Sequence, residues 1–155
     1  MKIKITNLFI ALSFLSCGQS SDDSNANQSH PAIVGSWKLI TGTVIEKNDT
    51  VVTDYTQNIS FIKIINDTHF AFLQHDLKKG KDSGAVYGSG GGTYSLVDNV
   101  YTEHLEYCSD RNWEGNDFRF TVVVTNDTLI QKGVEKIESI GVDRINIEKY
   151  IRFKK

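Results

Sequence analysis

The sequence predicts an all-β protein: an eight-stranded up-and-down antiparallel β-barrel behind an apolar leader and a polar tether. Three observations carry this expectation. From residue 33 onward Val, Ile, Thr, Tyr and Phe recur, the residues that pack well on a pleated, half-buried surface. No window of eleven residues there holds a 3.6-residue apolar period, so no amphipathic helix is predicted. Eight short strand-like runs are separated mainly by Asn/Asp junctions, whose side chains tolerate the left-handed backbone of tight hairpins.

The chain divides into residues 1–16, 17–32 and 33–155. Lys2 and Lys4 precede an apolar run, Ile5 to Leu15, and small Ser16 stands before Cys17. A charged start, about 7–15 apolar residues and a small residue at the cut describe a secretory signal. The run falls short of the roughly 20 residues a membrane span requires. Phe14-Leu15-Ser16-Cys17 resembles a lipobox, in which the cysteine receives lipid (palmitate or a related acyl chain) and becomes the membrane anchor. The alternative is an ordinary signal peptide with an incidental cysteine. Gly18 to Ala32 is dominated by Ser, Asp, Asn and Gln, which offer too little apolar surface to offset ordering entropy; this composition suits a tether. With Cys17 lipidated, Cys108 has no partner and no disulfide is expected. Ser21-Asp22-Asp23 resembles an acidic surface-export signal. The expected location is therefore the outer membrane, facing either the periplasm or the cell surface.

Residues 33–155 have the size of a single domain. The expected strands are Val34 to Val44, Gln57 to Ile65, His69 to His75, Val86 to Leu96, Val100 to Cys108, Phe118 to Thr125, Leu129 to Glu135 and Ile145 to Phe153. Asn66-Asp67, Asp98-Asn99 and Asn126-Asp127 mark hairpin turns, and Asn48-Asp49 marks another turn. Two longer loops are expected, Asp76 to Gly84 with three lysines and Ser109 to Asn116 with Trp113. Short connections favour a meander over a Greek-key sandwich, and closing it removes exposed edges. Alternation gives the inward faces: Phe118, Phe120, Val122 and Val124; Phe70 and Phe72; Trp37 and Leu39. Val100 to Cys108 alternates less cleanly: if its aromatic face is internal, Tyr101, Glu103, Leu105 and Tyr107 point inward together.

Gly35-Ser36-Trp37 at the first strand is similar to the Gly-x-Trp signature of lipocalins. Together with Phe61…Asn66-Asp67-Thr68-His69-Phe70, Gly91-Gly92-Thr93-Tyr94-Ser95 and Tyr101-Thr102-Glu103-His104, it makes residues 33–153 resemble bacterial lipocalin-like lipoprotein domains of the calycin type. The resemblance implies a barrel with an internal site for a small hydrophobic or amphipathic molecule. It also implies that Arg152, in Tyr150-Ile151-Arg152-Phe153, lies across the Trp37 ring.

The candidate ligand site is lined by Phe70, Phe72, Tyr94, Tyr101, Leu105, Phe118 and Phe120, with Glu103 as polar anchor. The alternative is a filled core in which Glu103 bonds a neighbouring Tyr or Arg, since a buried carboxylate needs a partner or a raised pKa. In that case the rim loops, with Trp113, would contact a protein or glycan. No cofactor and no metal site is expected: His69 and His75 are about 20 Å apart along a strand, and no His-Glu-x-x-His, Cys-x-x-Cys or calcium loop occurs. Gly88-Ser89-Gly90-Gly91-Gly92 lacks the features of a phosphate loop and reads as a strand bend or bulge. No nucleophile–base pair marks an enzyme. The net charge of −2 gives no field for nucleic acid, and a monomer is expected.

Overall fold

The computed structural model describes residues 32–153. The expected leader, the lipidation site Cys17 and all of the tether before Ala32 lie outside the described residues.

Among the described residues nine strands form one antiparallel sheet that closes on itself: β1 (Gly35–Glu46), β2 (Asp49–Asp54), β3 (Ile59–Ile65), β4 (His69–Asp76), β5 (Tyr87–Val97), β6 (Val100–Cys108), β7 (Asn116–Thr125), β8 (Thr128–Ile137) and β9 (Val142–Arg152). Each strand from β3 to β9 pairs with the next, and β9 returns to pair with β1. On its other edge β1 carries two partners. Gly35 to Lys38 face β3, and Thr41 to Glu46 face β2. Strands β2 and β3 therefore act as one interrupted stave, and the barrel has eight staves in up-and-down order.

The expected boundaries need one addition. Asp49–Asp54 is a strand where the sequence reading leaves a turn and a loop. Its only large apolar residues, Val51 and Val52, are exposed, so it carries no inward apolar signal. It forms because Lys47 and Asn48 take up positive φ and fold the chain back onto β1. Elsewhere Asp98 and Asn126 occupy the left-handed region at their turns, as Asn/Asp chemistry leads one to expect.

Two bulges change which residues face inward. In β1 the register with β9 slips between Leu39 and Thr41, so the inward set passes from Trp37 and Leu39 to Gly42 and Val44. In β6 Gly91 pairs with Tyr107 and Gly92 with Leu105, leaving Glu106 as the extra residue. Tyr107 is therefore turned outward and is 68% exposed, a correction to the uninterrupted alternation expected there. The glycine run makes this close approach sterically feasible: a Cβ on Gly92 would lie 2.0 Å from the His104 carbonyl oxygen.

The barrel has two unlike ends. At one end lie the start of β1 and the tight turns β3–β4, β5–β6 and β7–β8. Its interior is packed solid by Trp37, Leu39, Ile65, Phe70, Tyr101, Leu129 and Tyr150, all buried. Arg152 lies across Trp37 with its guanidinium carbon 4.0 Å from the ring centroid, as expected, and donates to the carbonyls of Val34 and Ala32 at 2.8 and 2.6 Å. Gly35, at φ 145°, leaves the space Arg152 fills; a Cβ there would meet Nη1 at 2.3 Å. Trp37 donates from its indole to the Ile33 carbonyl at 2.7 Å, satisfying the polar end of a ring with no exposure.

Candidate functional site

The other end is hollow. It is framed by the β1–β2 turn, the β4–β5 loop, the β6–β7 loop and the β8–β9 connection, and it contains a cavity of ≈ 340 Å³. Ligand sites typically run about 300–1,000 Å³, so this space suits a small molecule.

Its walls are aromatic. Phe61 on β3 and Phe72 on β4 stack with centroids 5.6 Å apart and planes 9° apart. Gly90 on β5 allows this, because a Cβ there would strike the Phe72 ring at 2.5 Å. The break between β2 and β3 places Tyr55 edge-on to Phe61 at 5.9 Å, over Gly42, whose missing side chain leaves room for the ring. Across the cavity Trp113 packs on Phe118 at 5.7 Å. Trp113 sits on a short 3₁₀ turn, Arg111–Trp113, which Asp110 caps by accepting from the Asn112 amide. Glu114 further ties the loop down, accepting from the Cys108 amide and from Arg111. The exposed aromatic patch that would mark this loop as a contact surface is thus not formed by Trp113, which packs inward.

The floor is polar and almost wholly paired. Lys63 on β3, buried, donates to Glu103 on β6 at 2.7 Å and to Gln131 on β8 at 3.0 Å, with Glu148 on β9 4.0 Å away. The same ammonium lies 5.4 to 5.8 Å from the ring centroids of Tyr150, Phe70 and Tyr101 beneath it. Burial disfavours the Lys63 charge, but Glu103 and then Glu148 more than offset this and hold its pKa above the ordinary lysine value. Glu148 is shifted the opposite way from a normal ion-paired acid. Burial raises its pKa, and Lys63 and the Tyr150 hydroxyl, which donates to it at 2.8 Å, pull it back only in part. Nearer the rim Glu135 accepts from Arg144 at 2.6 Å and Asn146 at 2.8 Å, and Arg144 covers the Trp113 ring at 5.0 Å. The Tyr101 hydroxyl is buried without a hydrogen-bond partner, and burial, then Glu103, push its pKa far above the phenol range.

Of the residues expected to line a ligand site, Phe72, Glu103, Leu105, Phe118 and Phe120 do line the cavity. Phe70, Tyr94 and Tyr101 require correction. Tyr101 packs between Phe70 (6.5 Å) and Tyr94 (5.1 Å) in or beside the solid end, below the polar floor. Glu103 has its partner, but it is Lys63, where a Tyr or Arg was expected. Sequence reasoning missed Lys63, Gln131 and Glu148. The available signal was the period-two set Phe61, Lys63, Ile65, but Ile62 and Ile64 make the opposite face equally apolar and hide which one points inward.

Two other titratable groups lie on the same strand, β6. His104 faces outward and bonds Asp117, which raises its pKa. Cys108 is half-buried beside the cavity, and burial raises its thiol pKa, the reverse of what a nucleophile needs.

No family model matches the chain, and no curated protein matches it. Among solved structures, an uncharacterized protein from Bacteroides eggerthii DSM 20697 is similar, with 13% identity and a TM-score of 0.45 over 77% of this chain and 98% of that one. A likeness of that degree bears no functional argument. The molecule stands, on its own geometry, as a closed antiparallel barrel packed at one end and hollow at the other.

Proposed function

We propose that this is an exported, lipid-anchored, lipocalin-like protein that holds a small amphipathic molecule in the hollow end of its barrel and catalyses no reaction. The observation that carries the reading is the cavity itself: aromatic and aliphatic walls over a floor of fixed polar groups, the ordinary makeup of a ligand site. Eight staves give an interior just wide enough to be filled by side chains or to hold one small ligand. Here the two options divide the barrel between them. The Gly35–Trp37–Arg152 arrangement supports the lipocalin-like assignment. The signal-like segment ending at Cys17 and the polar stretch after it support anchoring to the outer membrane, on its periplasmic or outer face.

Native mass spectrometry of the protein purified from its source cells tests both parts. The expected result is a reproducible small mass that is present under gentle conditions and lost on denaturation. The denatured chain should begin at Cys17 and carry acyl mass. No bound mass, with no stabilisation by a panel of fatty acids and terpenoids, overturns the binding reading; an unmodified chain overturns the anchor.

A further inference from the structure

The following inference rests on the binding reading and narrows it to one chemical class. Three carboxylates, Glu103, Glu135 and Glu148, line the cavity against two cations, Lys63 and Arg144, and Asp110 adds a further carboxylate at the rim. Both cations are already committed to the barrel's own acids, Lys63 to Glu103 and Arg144 to Glu135. Glu103 receives Lys63 on Oε1, and Glu148 receives the Tyr150 hydroxyl on Oε2, with Lys63 4.0 Å from the same oxygen. Glu103 is 7% exposed and lines the cavity floor. The carboxylates that line the cavity thus outnumber its cations, and both cations are already paired.

We propose that the molecule held in the barrel is an organic cation, with an ammonium head seated at Glu148 and Glu103 and an apolar body lying along Phe61, Phe72 and Phe118. An anion would have to displace Glu103 from Lys63 and would meet uncompensated carboxylates. A neutral amphiphile would leave the surplus negative charge desolvated, a cost that falls on the charged form. Burial lifts the pKa of Glu148, and a cation beside it would relieve that cost and bind more tightly for it. The aromatic walls suit such a guest, since ring faces attract ammonium groups.

Three probes that differ only in the head group test this: 4-phenylbutylamine, 4-phenylbutanol and 4-phenylbutyrate. Each is titrated calorimetrically into the full chain held in lipid nanodiscs, with empty discs as the blank and the fluorescence of Trp113 as a second readout. The amine should bind at least about tenfold more tightly than the acid, with the alcohol between them. Glu148→Gln should weaken the amine about tenfold and leave the alcohol within about twofold; Glu148→Asp should keep most of the preference. Thermal unfolding confirms that each variant is folded. Equal or tighter binding of the acid, or an amine affinity that Glu148→Gln leaves unchanged, overturns the cation assignment while the binding reading stands. Failure of all three probes, in a protein that also carries no bound mass, overturns both.

Discussion

The two halves of the barrel are built from the same strands, yet they spend them differently. At the packed end Trp37, Leu39, Phe70, Leu129 and Tyr150 interdigitate, and the polar atoms of Trp37 and Arg152 end on backbone carbonyls. At the hollow end the side chains are as large, but stack against the wall instead of crossing the lumen: Phe61 on Phe72, Trp113 on Phe118. Between them lies the belt of Lys63, Glu103, Gln131 and Glu148. Charged groups there have to be paired because desolvation is severe, and pairing holds them against the wall and the floor. The difference teaches that stability and capacity for a guest are divided along the barrel axis. One end supplies apolar burial; the other keeps space and polarity at an energetic cost that the first end offsets.

Trp37→Ala tests that division most strongly. It removes a large, unexposed side chain from the packed end and undercuts the Arg152 stack. Large-to-small changes of this kind cost about 3–5 kcal/mol, and urea unfolding should show a loss in that range. A loss under about 1 kcal/mol would mean that the packed end is not the source of stability.

Lys63→Met addresses the belt. Removing one partner of a buried pair leaves Glu103 ionised and alone, at a cost of about 3 kcal/mol. Adding Glu103→Leu should bring stability back to within about 1 kcal/mol of the parent, since a well-packed apolar pair can replace a buried ionic one. If the double variant is no more stable than Lys63→Met alone, the belt contributes through more than its charge pairing.

The smallest effect is expected at Glu148, and its sign depends on pH. The group's folded pKa lies above the usual 4.5, so the folded state binds the proton more tightly than the unfolded state does. Its contribution is favourable below about 4.5 and is lost as pH rises through the folded value. Glu148→Gln, which cannot ionise, should therefore be more stable than the parent at neutral pH, by an increment that shrinks to nothing as pH falls below 4.5. The groups around it are Lys63, Glu103, Glu135 and Tyr150, so the comparison should be repeated with Glu135→Gln as a control. A Glu148→Gln variant less stable than the parent at neutral pH would show that Lys63 outweighs burial. The same variant is expected to lose affinity for a cation, so stability and binding should move in opposite directions at this residue.

Much of the architecture was legible before any coordinates. Val100–Cys108 was delimited at both ends, and Phe118 to Val124 showed which face was internal, because period-two alternation with polar residues between allows only one register. The glycine run signalled an irregularity, and the register does shift between Gly91 and Gly92, although the extra residue is Glu106 on the facing strand. What stayed hidden follows from two physical causes. Bulges at Ile40 and Glu106 reverse the alternation within a strand, and nothing in a single residue's chemistry announces them; hence Tyr107 was placed inside and Gly42 went unnoticed. A lysine flanked by isoleucines, as at Lys63, is read as outward, because burying its charge is costly unless a partner waits across the barrel. That partner, Glu103, lies forty residues away in sequence.

By itself, then, the sequence determined the class of fold and most of its strands and turns, because local propensity, turn chemistry and alternation act within a few residues; the Arg152–Trp37 stack was implied by the family resemblance alone. Only the tertiary structure decided that one end is solid and the other hollow, and that Lys63, Glu103, Gln131 and Glu148 meet at the boundary. Those outcomes depend on which side chains face each other across a closed lumen, and that is set by strand register, bulges and barrel closure acting together.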